Sequence, residues 1–95
     1  MDDHLLPERL GRLTGQLRTL RNGLRGLAPD IGRLRSDTEL VAQYRRVVEA
    51  LLDLDQLVWR RLQERCPDHL LADMAPRELA AIDRARRELA EPGRS

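Results

Sequence analysis

Residues 6–27 read LPERLGRLTGQLRTLRNGLRGL, with leucine at 6, 10, 13, 17, 20, 24 and 27. The alternating steps of four and three make a seven-residue repeat, the pattern of a helix packed lengthwise against another helix. Pro7 falls in the first turn, where its missing N–H costs least. Gly11 and Gly15 lie off the leucine seam, and their spacing is read as incidental in a soluble helix. Gly23 and Gly26 each weaken the last turns by about 1 kcal/mol relative to Ala. Pro29 follows, so the spacing predicts a first helix over about 5–27 and a connector over 28–35.

Ser36-Asp37-Thr38-Glu39 has the form of a capping box, with the Ser hydroxyl on the N3 amide and Glu39 reaching back. Nothing breaks the pattern until Pro67, which predicts a second helix over 36–65. A third helix is expected over 76–90, with Pro76 at its first position, leaving 91–95 as a tail. It offers a thin apolar stripe of Leu79, Ile82 and Leu89. No segment shows sustained period-two alternation, so strands are not predicted. The expected fold is all-α: one domain over 1–95, a small antiparallel bundle of three main helices. The long second helix exceeds what its neighbours can cover, and so small a domain is marginal alone. Completion by homodimerisation is therefore expected.

Two charges interrupt the apolar faces. Along the second helix the core steps through 41, 44, 48, 51, 55, 58 and 62, and position 55 is aspartate. At about 100° per residue Asp55 points into the apolar arc, where an unpaired carboxylate is costly. On the third helix Arg86 falls between Ile82 and Leu89. An Asp55–Arg86 pair is expected, within the chain or across a dimer, as a device that fixes register. Tyr44 and Trp59 are the only aromatic residues, and both sit on the same face of the second helix as core or interface anchors.

Seventeen basic against sixteen acidic residues leave a formal charge of +1, so no strong global field favours nucleic acid or an acidic surface. Every basic residue is arginine, and nineteen leucines accompany them, the mark of a coding bias rather than of anion recognition. The most basic local stretch is Arg18, Arg21 and Arg25 on the outer side of the first helix, with no acid from 9 through 29. That face is a candidate for RNA or DNA, against the ordinary reading of a solvated helix surface. His4, Cys66 and His69 are the only soft metal ligands, one short of a four-ligand structural zinc site. Cys66 and His69 lack a third orienting group for nucleophilic catalysis, and no glycine-rich phosphate loop is present. No metal, cofactor or catalytic residue is predicted. The acidic N-terminus and the lack of a long apolar run predict neither a secretory signal nor a membrane span. A single cysteine fits a reducing compartment, so a cytoplasmic location is expected.

Asp37-Thr38-Glu39-Leu40, followed by Val48-Glu49-Ala50-Leu51-Leu52-Asp53-Leu54, resembles the long helix of HepT-like proteins. These are bacterial HEPN-superfamily helical RNases, partners of minimal nucleotidyltransferases in toxin–antitoxin pairs. The resemblance covers roughly residues 5–75 and implies a helical dimer with a nucleotidyltransferase as possible partner. HEPN ribonucleases carry an Arg-x4–6-His motif. Here His69 is preceded at the required positions by Leu62, Gln63 and Glu64, and the third helix holds no histidine. The resemblance therefore implies a truncated or degenerate member without nuclease residues. The expected function is a non-catalytic α-helical protein-interaction module, with nucleic-acid binding through the arginine face as the alternative.

Overall fold

The computed structural model describes residues 4–90, in which three α-helices pack as a rod measuring 50 × 20 × 18 Å. Helix α1 spans Leu6–Arg33, α2 spans Thr38–Arg65 and α3 spans Leu70–Ala90. No strand occurs among the described residues. The all-α class follows from the helical periodicity throughout the sequence.

Two helix boundaries and one cap differ from the sequence reading. Helix α1 does not stop near 27 but continues through Gly26 and Pro29 to Arg33. Pro29 lies close to the C-terminus, so its missing N–H removes one bond while its fixed φ still suits a helix. The Leu34 N–H then closes the end on the carbonyls of Asp30 and Ile31. Helix α3 begins at Leu70, not Pro76, and its first turn is capped by His69, whose Nδ1 accepts from the Leu71 N–H at 3.1 Å. Pro76 is exposed within it and removes only the one N–H that the Ala72 carbonyl would otherwise accept. At the start of α2 the N-cap is Asp37, not Ser36: its Oδ1 accepts from the Leu40 N–H at 3.1 Å.

Helix α2 is the central element. It packs along both α1 and α3, while α1 and α3 meet at few points. The core joins Leu10 and Leu17 of α1 to Leu52, Val58, Trp59 and Leu62 of α2 and to Ala75 and Ile82 of α3. Gly11 marks a close approach of α1 to α3, since a Cβ there would lie 2.6 Å from Leu71 Cδ1. The Tyr44 hydroxyl ties α2 to α1 by donating to the Leu24 carbonyl at 2.9 Å.

Candidate functional site

The leucine seam of α1 divides into two rows. Leu10 and Leu17 are buried and Leu24 is half-buried. Leu13, Leu20, Leu27 and Leu34, also seven residues apart, are exposed by 43%, 57%, 48% and 51%. Helix α2 repeats this arrangement. Its buried arc centres on Asp55, while Leu40, Val47 and Leu54, again seven apart, are 36–51% exposed, with Leu57 beside them. Such sevenfold rows stay on one helix face and drift only slightly around it.

Both rows lie on the same side of the molecule. On α1, Gly11 and Arg18 face α3 through Leu71 and Glu78. At about 100° per residue the 13/20/27/34 row falls on the opposite flank. On α2 the 40/47/54 row lies about 100–140° around the helix from Asp53, which receives Arg86 of α3 at 2.6 Å. The α1–α2 seam is therefore covered by α3 on one side and flanked by exposed apolar rows on the other. Monomeric soluble proteins rarely leave contiguous apolar patches above a few hundred Å² uncovered.

Beneath this face sits a polar layer. Asp55 is only 3% exposed, and its Oδ2 accepts from Arg21 Nη1 at 3.4 Å. Asp55 Oδ1 and Arg21 Nε, both buried, hydrogen-bond nothing among the described residues. Burial raises the Asp55 carboxyl above its ordinary value of 3.8, outweighing the opposing attraction of Arg21. Glu78 of α3 raises it further, while Arg18 and the neighbouring Trp59 side chain pull it down. Arg18 bonds Glu78 at 2.7 Å, so the layer joins all three helices.

The expected Asp55–Arg86 pair is corrected by this geometry. Asp55 is buried as the periodicity requires, but its partner is Arg21, and Arg86 instead reaches the exposed Asp53. Arg86, half-buried on α3, extends outward to the flank of α2 rather than into its core. The same arrangement divides the three arginines of α1. Arg18 and Arg25 are on the surface, whereas Arg21 turns inward with a side chain 17% exposed. Trp59 is buried at 2% and Tyr44 is half-buried.

His4, Cys66, Asp68 and His69 line one surface depression at the α1 start. No group of three His, Cys, Asp or Glu side chains converges on a metal position among the described residues. Nor is any described helix long and apolar enough to cross a membrane. A groove of about 230 Å³ lies between the helices near Leu24, Tyr44, Val48 and Leu89, with Arg21, Arg25 and Glu88 among its lining residues. Comparison with protein-family models, curated proteins and solved structures finds no match.

Proposed function

We propose that this chain is a non-catalytic α-helical interaction module whose open α1–α2 face is covered by helices of a partner. The observation that carries the reading is the pair of exposed apolar rows at sevenfold spacing, the pattern by which helices pack on helices. In this reading α1 and α2 run antiparallel, supported by the Leu24–Tyr44 and Arg21–Asp55 contacts, in which earlier residues of α1 meet later residues of α2. The missing Arg-x4–6-His spacing supports the non-catalytic part. The HepT-like resemblance adds a minimal nucleotidyltransferase as a possible partner, and the unpaired Cys66 supports a cytoplasmic setting.

An apolar dye tests the face independently of its partner. At concentrations low enough to dissociate complexes, the folded chain binds anilinonaphthalene sulfonate, and Leu20→Glu with Leu54→Glu abolishes that binding while helicity is kept. Dye binding unaffected by the two glutamates, or absent from the dilute folded chain, contradicts the reading.

One feature favours a second reading. Arg21, Arg25 and Arg84 line a polar groove between α1 and α3 together with Glu88, a cationic setting for RNA or DNA phosphates. Nucleic-acid binding there weakens steeply with salt and is lost in Arg25→Ala with Arg84→Ala; binding insensitive to either change contradicts it.

A further inference from the structure

We infer that the occupant of the open face is a second copy of this chain, turned end for end about a two-fold axis perpendicular to the helices. The inference rests on the interaction-module reading, and two features of the face single out this partner. The first is area. The eight exposed apolar side chains of the face present roughly 600–700 Å² per copy, so a pair buries roughly 1,200–1,400 Å², within the range of stable interfaces.

The second is charge. At about 100° per residue, the surface bordering the two rows carries Arg12 early in α1 and Arg61 and Arg65 late in α2. In the antiparallel hairpin these three cations share one end. Asp30, late in α1, and Glu39, early in α2, border the rows at the other end. Between them the border is uncharged, with Gln16 and Gly23 on α1 and Gln43 and Ala50 on α2. Arg61 also holds Glu64, and Arg33 holds Asp30, but these exposed pairs within one helix are worth little and leave the ends polar.

A copy placed head to head sets the arginine-bearing ends against each other. An end-for-end copy sets the cationic end over the acidic one. Each helix then lies antiparallel on its own counterpart. Leu13 of one copy falls at the level of Leu34 of the other, Leu20 at Leu27, and Val47 at Leu54. Position 50 meets itself near the axis.

Disulfide mapping in a Cys66→Ser background tests the arrangement. Ala50→Cys is expected to form a covalent dimer by itself. Leu13→Cys and Leu34→Cys are expected to link only when the two variants are mixed. A link between Leu34→Cys of one copy and Leu40→Cys of another marks head-to-head packing and overturns the orientation, leaving the module reading intact. A wild-type chain that stays monomeric overturns the second copy as occupant, whatever the dye shows. Charge reversal gives an independent readout on exposed residues. Arg61→Glu and Glu39→Arg each weaken the dimer about tenfold or more, and their combination in one chain restores it; failure of the combination to restore overturns the orientation.

Discussion

Asp55 and Arg21 meet at 3.4 Å across the α1–α2 seam, with the carboxylate almost wholly buried and the guanidinium reaching the surface at one edge. The two partners are therefore unequally dependent on each other. Arg21→Ala leaves a buried carboxylate without its counter-charge and costs about 3–5 kcal/mol at neutral pH. Asp55→Ala costs much less, because the freed Arg21 can turn to water. Urea titration of both variants checks the order; equal losses, or a milder Arg21→Ala, contradict it.

The raised Asp55 carboxyl makes stability depend on pH in a definite direction. The folded chain holds this proton more tightly than the unfolded chain. The stability it contributes is complete below the unfolded value of 3.8 and is lost as pH rises through the higher folded value. Asp55→Asn removes this loss. The stability difference between Asp55→Asn and wild type should therefore shift in favour of the variant from pH 3.5 to pH 7, as read by urea melts across that interval. A constant difference contradicts the assignment.

The Tyr44 hydroxyl of α2 donates to the backbone of α1 at the Leu24 carbonyl. Tyr44→Phe keeps the ring and is expected to cost about 0.5–1.5 kcal/mol in a chemical denaturation, with the helical signal unchanged.

Glycines within α1 separate packing from propensity. A Cβ at Gly15 or Gly26 meets nothing within 4 Å, so Gly15→Ala and Gly26→Ala each stabilise by up to about 1 kcal/mol. At Gly11 the added methyl lies 2.6 Å from Leu71 Cδ1, and shifting that side chain offsets the gain. Thermal melts of the three variants should place Gly11→Ala below the other two.

Much of this architecture is legible in the sequence. The Ser36–Glu39 capping sequence and Pro67 give α2 to within two residues of its observed start. The apolar neighbours of Asp55 place it inside. Its partner is harder to read because Arg21 lies just beside the seam, four residues after Leu17 and three before Leu24, on the flank that packs toward α3. That spacing is the signal that marks it as inward. The heptad pattern also treats all seven leucines of α1 alike. Which row is covered depends on the side that α3 takes, and that is decided by tertiary packing at Gly11 and Glu78 rather than by α1 itself. Prolines 29 and 76 mislead for a related reason: each removes one backbone N–H, and the helix continues past it.

The central claim is that the exposed rows of α1 and α2 form an interface with a second copy. Light scattering coupled to size-exclusion chromatography, run on wild type and on Leu20→Glu with Leu54→Glu at tens of micromolar, tests it most directly. The predicted result is a wild-type mass of twice 10.9 kDa and a double variant that falls to 10.9 kDa while remaining helical. A wild-type mass of 10.9 kDa, or a double variant that stays dimeric, contradicts the account.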